Sequence, residues 1–261
     1  MPDSSPRTAL IGHTGFVGSN LLAQRNFTAC YHSKNISEIA GQSFDTVICA
    51  GVQAVKWLAN QEPAQDWAGI ERLLTPLAAV AARRFVLIST IDVYPDPQGV
   101  TEDDLPGREN HAYGRHRLAV EEFVKAQFST VQVVRLPGLF GPGLKKNVIY
   151  DLLHGHLLDA IQPESAFQYY DLRHLSADLD LVVAAELPCL NLATEPIKTR
   201  TILERFAPEQ AMPVSTAPIA KYDFRSLHAE RWNGSGGYLY SAEAVLEDLG
   251  NFIREERSRL V

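Results

Sequence analysis

The sequence predicts an α/β fold, a doubly wound parallel sheet followed by a small C-terminal region, and three observations predict it. Short β-branched runs alternate with longer segments of helical period through the first half of the chain, the pattern of parallel βαβ units. A glycine-punctuated stretch, Gly12-His13-Thr14-Gly15-Phe16-Val17-Gly18, lies directly between the first such run and the first helical segment. The composition is that of a globular protein: of 261 residues, 46% are hydrophobic and 21% charged, which excludes a disordered chain.

The elements follow in order. Thr8-Ala9-Leu10-Ile11 is the first strand, and Phe16 to about Gln24 the first helix. Thr28 to Tyr31 is a second strand, and Thr46 to Ala50, introduced by Asp45, a third. Residues 64–82 read as a helix, with Ile70, Leu73, Leu74, Leu77 and Val80 on a 3.6 period and Pro76 threatening a kink. Phe85-Val86-Leu87-Ile88-Ser89 is the clearest central strand, 112–128 the next helix, and Val131 to Leu136 the strand after it.

From Pro137 the texture breaks up, with Pro137-Gly138, Gly141-Pro142-Gly143 and Pro163. A domain over 1–136 and a second region over 137–261 follow from that change. Phe167 to Leu172 reads as a strand expected to rejoin the sheet, Leu175 to Ala185 as a helix, and Cys189 to Leu192 as a short strand. Residues 208–237 are rich in Pro, Gly and Ser and read as loop. A last helix from about Ala242 presents Val245, Leu246, Leu249, Phe252 and Ile253 on one face, with Ser241 able to cap it.

Several function classes are disfavoured. Three cysteines, Cys30, Cys49 and Cys189, all in apolar runs, read as buried reduced thiols rather than a disulfide framework. The net charge of −7 disfavours a nucleic-acid partner. No window approaches the roughly 18 apolar residues of a membrane span, and no secretory leader is visible, so a cytoplasmic location is expected. His154 and His156 are two apart and share no helix face, and no metal site is expected.

The glycine stretch carries the strongest chemical signal. A dinucleotide pyrophosphate needs a tight turn, close backbone approach, and a helix N-terminus aimed at the anion. Gly12 and Gly15 meet the first two needs, and Gly18 lets the helix pack on the strand. Thr14, Phe16 and Val17 complete the candidate cofactor-binding turn of this Rossmann-type arrangement.

Gly-x-x-Gly-x-x-Gly at this position resembles the fingerprint of the short-chain dehydrogenase/reductase superfamily. Asp45 to Ala50-Gly51 resembles its third strand–helix junction, which adds Ala50 and Gly51 to the candidate cofactor contacts. Leu87 to Tyr94 resembles the active-site strand of the extended branch. Tyr113-Gly114-Arg115-His116-Arg117 resembles the catalytic Tyr-x-x-x-Lys, with Arg117 in place of lysine. Arg135 through Gly141-Pro142, and Cys189 to Pro196, resemble later blocks of the same branch. Nearly the whole chain is thus similar to the NAD-dependent epimerase/dehydratase family, whose members often act on nucleotide sugars. The resemblance implies a dinucleotide-binding domain over 1–136, a substrate-binding region over 137–261, a small-molecule substrate, and a homodimer that pairs the helices at about 64–82 and 112–128.

The resemblance assigns Tyr113 as general acid/base and Thr90 as second hydrogen-bond partner of the reacting oxygen. Arg117 becomes the electrostatic partner and ribose clamp. Tyrosine titrates near 10. A cation about 4 Å away at an effective dielectric of ~20 is worth ~4 kcal/mol, or ~3 pKa units, which would bring the phenol toward neutral pH. Arginine supplies that charge but cannot relay a proton. Asp92 points the same way as Thr90 along an extended strand and could abstract a proton beside a carbonyl; a turn-capping role is its alternative.

Cofactor choice rests on the end of the second strand. No acid stands in Tyr31-His32-Ser33-Lys34-Asn35, and Ser33 and Lys34 could bind a 2′-phosphate, which favours NADP over NAD. For the substrate, Gly138 stands where nucleotide-sugar binders commonly carry Asn, and Phe167 and Gln168 where they often carry Arg. Lys145 and Asn147, with Lys146, could contact a phosphate or sugar, and Arg173 and Arg225 are further anion candidates. Redox or epimerase chemistry at a carbinol or carbonyl carbon is the main expectation. A dehydratase using Asp92 as base and a catalytically altered NAD(P)-binding sensor or scaffold stay open beside it.

Overall fold

The computed structural model describes residues 6–260. Its first half runs β1 (Thr8–Ile11), α1 (Phe16–Gln24), β2 (Ala29–Tyr31), β3 (Ser43–Cys49), α2 (Lys56–Gln61), α3 (Pro63–Leu77), β4 (Ala81–Thr90), α4 (Ala112–Gln127) and β5 (Val131–Leu136). The second half adds β6 (Gly138–Phe140), α5 (Val148–His154), β7 (Ala166–Phe167), β8 (Tyr169–Asp171), α6 (Leu175–Ala184), β9 (Cys189–Asn191), β10 (Ile197–Lys198), α7 (Thr199–Phe206) and α8 (Ala242–Leu260). The chain divides into two compact units. One comprises the chain to Asp96, with Asp104–Arg135 and Arg173–Leu190; the other comprises Pro97–Asp103, Leu136–Leu172 and the chain from Asn191. None of the described helices is long and apolar enough to cross a membrane.

The first unit is built on a six-stranded sheet of order β2-β1-β3-β4-β5-β9. β1 pairs parallel with β2 on one side and β3 on the other, and β3 pairs parallel with β4. The chain therefore reverses its direction across the sheet at β1 and β3, which opens a crevice at their carboxyl ends. Right-handed crossovers place the β1–β2 connection and the β3–β4 connection on opposite faces; α1 packs with α6, and α3 with α4. The face under α3 and α4 is a continuous core that includes Val47, Phe85, Leu87, Ile70, Leu77 and Val124. Phe85 of β4 stacks on Phe128 at 4.4 Å between ring centroids.

Three expectations are corrected here. The helix expected over 64–82 ends at Leu77, because the sheet claims the following residues: Ala81 and Ala82 pair with Ser43 and Phe44, so β4 begins well before Phe85. The stretch 167–172 does not rejoin the large sheet. Tyr169–Asp171 pairs with β6 and Ala166–Phe167 with β10 in separate two-stranded sheets, and the sixth strand of the large sheet is β9. The division at 136/137 is not a single cut either, since Arg173–Leu190 returns to the first unit and Pro97–Asp103 belongs to the second. Of the three free cysteines, Cys49 is buried, and Cys30 and Cys189 are only half-buried.

In the second unit Phe140, Ile149, Tyr169, Ile202, Leu249 and Phe252 form the core. The α8 stripe read from the sequence lies in that core, and Ser241 caps the helix by accepting from the Ala244 N–H at 3.3 Å. Two polar side chains tie its loops. Glu102 accepts from the Asn191 N–H at 2.7 Å, the Ser226 hydroxyl at 2.6 Å and the Leu227 N–H at 2.8 Å. The Gln168 amide accepts from the Phe224 N–H at 2.9 Å and donates to its carbonyl at 2.8 Å.

Candidate active site

The glycine turn joins β1 to α1 at the crevice. Gly12 has φ +88°, a left-handed conformation that favours glycine, and a Cβ there would run into the Ala50 carbonyl. A Cβ on Gly18 would run into the Gly12 carbonyl. Backbone thus touches backbone where Gly12 meets Ala50 and Gly51, and Ala50 N–H donates to the Ile11 carbonyl at 2.9 Å. Gly15 is the N-cap residue of α1 in extended conformation; no side chain caps this helix and no acid stands in its first turn. Thr14 and Gly15 are exposed, with Phe16 and Val17 half-buried behind them. This is a cradle with free N–H groups and room for an anion.

Beside it, at the end of β2, Ser33 and Lys34 are exposed on a turn. The turn is closed by His32 N–H donating to Asn35 Oδ1 at 2.7 Å and Asn35 N–H to the His32 carbonyl at 3.1 Å. His13 and His32 meet edge to face at 5.2 Å. His13 Nδ1 lies 3.0 Å from the Tyr31 carbonyl, so that nitrogen carries the proton. Neither histidine was singled out from the sequence.

The other half of the site grows from the end of β4 and the start of α4. Thr90 Oγ1 accepts from the Asp92 N–H at 3.2 Å, capping the single 3-10 turn Ile91–Val93. Asn110 donates to the carbonyls of Asp92 at 2.9 Å and Val93 at 3.1 Å, tying this turn to the entry of α4. His111 caps α4, its Nδ1 accepting from the Gly114 N–H at 3.0 Å, and Asn60 of α2 accepts from the Tyr113 N–H at 3.0 Å. Burial and the Lys56 charge hold the His111 imidazole below its ordinary value. These contacts fix the buried Tyr113 at the start of α4, where the Thr90 side chain favours the phenolate. Ser89 turns instead to Glu121 Oε1 at 2.6 Å.

Arg117 lies one turn after Tyr113 and is 4% exposed. Its guanidinium carbon sits 4.0 Å from the Tyr113 ring centroid. Nη1 donates to Asp66 Oδ2 of α3 at 2.5 Å, and Nη2 donates to the Gln53 carbonyl. The buried Nε has no partner among the described residues. His116 places Nδ1 2.7 Å from the same Asp66 oxygen. Burial works against the Asp66 carboxylate, but the hydrogen bonds and charges of Arg117 and His116 outweigh it and hold the group below its ordinary value.

This geometry corrects the expected ionisation of Tyr113. The cation is as close as the sequence suggested, but burial outweighs the pull of Arg117, of the Thr90 hydroxyl and of Lys56, and Asp92 opposes them. The phenol is therefore pushed above its ordinary value, not toward neutral pH. Asp92 is engaged by Lys56 of α2, whose Nζ stands 2.7 Å from Oδ1. One turn beyond Arg117, Glu121 takes a forked ion pair from Arg135 at 3.0 and 2.7 Å, and Arg135 also donates to the Tyr94 hydroxyl at 2.6 Å.

Lys56, Asn60, Asp66, Asn110 and His116 escaped the sequence reading. One of them had a visible signal: Asp66 precedes Ile70, Leu73, Leu74 and Leu77 by 4, 7, 8 and 11 residues, which puts a carboxylate on the apolar stripe of its helix.

Arg173 opens the last segment of the first unit, and the second unit holds the other candidates. The Asn147 side chain is used inside the fold: Oδ1 accepts from the N–H groups of Ile149 at 3.0 Å and Tyr150 at 3.1 Å, and Nδ2 donates to the Leu139 carbonyl at 2.9 Å. Lys145 is exposed just before it. Arg225 pairs with Asp223 at 3.5 Å and lies 5.4 Å from the Tyr238 ring. Gly138 is constrained by packing, since a Cβ there would come within 2.9 Å of the Gln168 carbonyl and 3.3 Å of the Tyr169 ring.

The fold is shared with solved enzymes of low sequence identity. MoeE5, in complex with UDP-glucuronic acid and NAD, is 17% identical with a TM-score of 0.75, over 98% of this chain and 100% of that one. A UDP-glucose 4-epimerase from Thermotoga maritima with UDP-glucose is 16% identical with a TM-score of 0.76, over 98% and 100%. A dTDP-4-dehydrorhamnose reductase from Bacillus anthracis in complex with NADP is 16% identical with a TM-score of 0.74, again over 98% and 100%. No curated protein matches the chain in sequence. The family model for the NAD dependent epimerase/dehydratase family matches residues 30–162, beginning beyond the glycine turn and taking in Lys56, Thr90, Tyr113 and Arg117. With half of its length so matched, the chain belongs to the NAD dependent epimerase/dehydratase family.

Proposed function

We propose that the protein is an NAD(P)-dependent oxidoreductase or epimerase acting at a carbinol or carbonyl carbon of a nucleotide sugar. The observation that carries this reading is the buried Tyr113 phenol with the Arg117 guanidinium over its ring, in the unit that holds the uncapped glycine turn. The residues fit the dinucleotide: the Gly12–Gly18 turn is a cradle that a Cβ at Gly12 or Gly18 would fill, and its free N–H groups suit a pyrophosphate. Ala50 and Gly51 border that cradle, and the exposed Ser33 and Lys34 support NADP as the dinucleotide. When bound, the nicotinamide supplies or accepts a hydride.

Tyr113 transfers the proton at the reacting oxygen, and Thr90 holds that oxygen through a second hydrogen bond. Arg117 is closed by Asp66 and Gln53, so we assign it to holding Tyr113 rather than to clamping ribose. The neighbouring folds with UDP-glucose and UDP-glucuronic acid support a nucleotide-sugar substrate. Asp92, held by Lys56, would have to leave that ion pair to act as the base of a dehydratase. A homodimer is the assembled form we propose.

The test is Tyr113→Phe, assayed by NADPH oxidation against a panel of UDP- and dTDP-linked keto sugars. Loss of the proton donor lowers turnover by about 10²–10⁴-fold, with cofactor affinity unchanged. Retained turnover would refute the assignment.

A further inference from the structure

Asp66 is a buried carboxylate one helix away from the phenol it influences. Its Oδ2 takes both Arg117 Nη1 at 2.5 Å and His116 Nδ1 at 2.7 Å, and its side chain is 7% exposed. With Nη1 on Asp66 and Nη2 on the Gln53 carbonyl, the guanidinium is held over the Tyr113 ring face, 4.0 Å from the centroid. That is a cation–π contact with the ring. It directs both terminal nitrogens to other partners. We propose that Asp66 is a positioning residue that keeps Tyr113 a proton donor: it locks Arg117 against the ring and balances its charge, so that the site is set to reduce a carbonyl rather than to oxidise an alcohol.

The inference rests on the reading of Tyr113 given above. The charged groups facing Tyr113 come from every element around it. Arg117 on its own helix and Lys56 of α2 favour the phenolate, and Asp92 after β4 opposes it. Asp66 of α3 and His116 act through Arg117, and the His111 ring packs 6.2 Å from the Tyr113 ring. Burial adds to Asp92 and keeps the phenol protonated above its ordinary range.

In the reduction, a bound reduced nicotinamide would supply the hydride to the carbonyl carbon, and the C=O π pair would move to oxygen. That oxygen takes the Tyr113 proton, and the phenolate left behind recovers a proton from water. The reverse reaction needs a phenolate at the outset, which burial and Asp92 disfavour.

The test is a pH titration of the full chain labelled with ¹³C at tyrosine Cζ, without cofactor, with the Tyr113 resonance identified by its absence in Tyr113→Phe. The wild-type resonance should stay that of a phenol to above about pH 10. Asp66→Asn should bring its midpoint down by about one unit or more, because Arg117 is then unbalanced. Asp66→Glu should restore the wild-type curve. The double variant Asp66→Asn/Arg117→Gln removes the pair together and should leave the midpoint within about half a unit of wild type.

A wild-type midpoint near neutral pH, no shift in a folded Asp66→Asn, or a double variant raised by more than a unit would overturn the proposal. In turnover, the alkaline limb of alcohol oxidation should move down with the Asp66→Asn midpoint; a limb that stays put would overturn the link to reaction direction. The titration uses neither substrate nor cofactor, so its result is independent of whether Tyr113→Phe retains turnover.

Discussion

Replacing Arg117 by methionine removes the charge while keeping a long side chain. In the wild type the pair is almost out of solvent, Arg117 4% and Asp66 7% exposed, with a 2.5 Å contact. Breaking a buried pair from one side costs about 3–5 kcal/mol, because the remaining charge is left desolvated. His116 still stands 2.7 Å from the same carboxylate oxygen, which brings the expected cost to the lower end, about 3 kcal/mol. That is a large part of the roughly 5–15 kcal/mol that holds a typical domain folded.

The pH dependence has a definite sign. In the wild type Asp66 is held below its ordinary value, so its contribution is present above the unfolded-state pKa and lost as pH falls through the folded one. Without Arg117, burial is opposed by His116 alone and the folded value rises. The folded variant then gains from protonation, and its deficit against wild type narrows as pH is lowered from 7 toward about 4.5. Urea unfolding at the two pH values, followed through the tryptophan signal, measures this; Trp67 packs 5.3 Å from the His116 ring and reports on the cluster. Adding Asp66→Asn to Arg117→Met should recover at least about half of the loss. A single variant within about 0.5 kcal/mol of wild type at pH 7, or a deficit that widens on acidification, would refute the reasoning.

Two further outcomes follow from the same structure. Glu121→Gln leaves Arg135 buried opposite a neutral group, Glu121 being 0% and Arg135 3% exposed; the cost of about 3 kcal/mol should lower the thermal midpoint by roughly 6–12 °C, and a drop under about 2 °C in a calorimetric scan would contradict it. Gly18→Ala drives a Cβ into the Gly12 carbonyl and should weaken dinucleotide binding at least about tenfold; unchanged affinity by titration calorimetry would remove the cradle from the account.

The sheet was legible in the sequence because its strands are continuous apolar runs and its turn is written in glycine. Thr8–Ile11 and the Gly12–Gly18 turn needed only local information, and so did the α8 stripe with its Ser241 cap. What long-range pairing decides was not legible. Ala81 and Ala82 join β4 because Ser43 and Phe44 lie beside them, and Tyr169–Asp171 goes to β6 although its own residues would suit either sheet.

The same division runs through the site. Tyr113 and Thr90 stood in recognisable strings, one at the start of α4 and the other at the end of β4. The ionisation of Tyr113 came out differently because burial, which a local string does not show, outweighs the pull of Arg117. Arg117 was counted as a free cation until Asp66, 51 residues away, balanced it. Asn147 looked like a ligand contact because its type suits one, yet its amide is spent on capping α5 and tying the Leu139 carbonyl. Gly138, a departure from the nucleotide-sugar pattern, has a local cause in the Gln168 carbonyl and Tyr169 ring that leave no room for a larger side chain.

The central claim is that the glycine turn and Tyr113 belong to a nicotinamide-dinucleotide enzyme. Titration calorimetry of the full chain with NADP and with NAD tests it most directly. The account predicts saturable one-site binding of at least one of them with a Kd in the micromolar range or tighter, NADP the tighter of the two, and the same affinity in Tyr113→Phe. Binding of neither dinucleotide to the folded protein would contradict it.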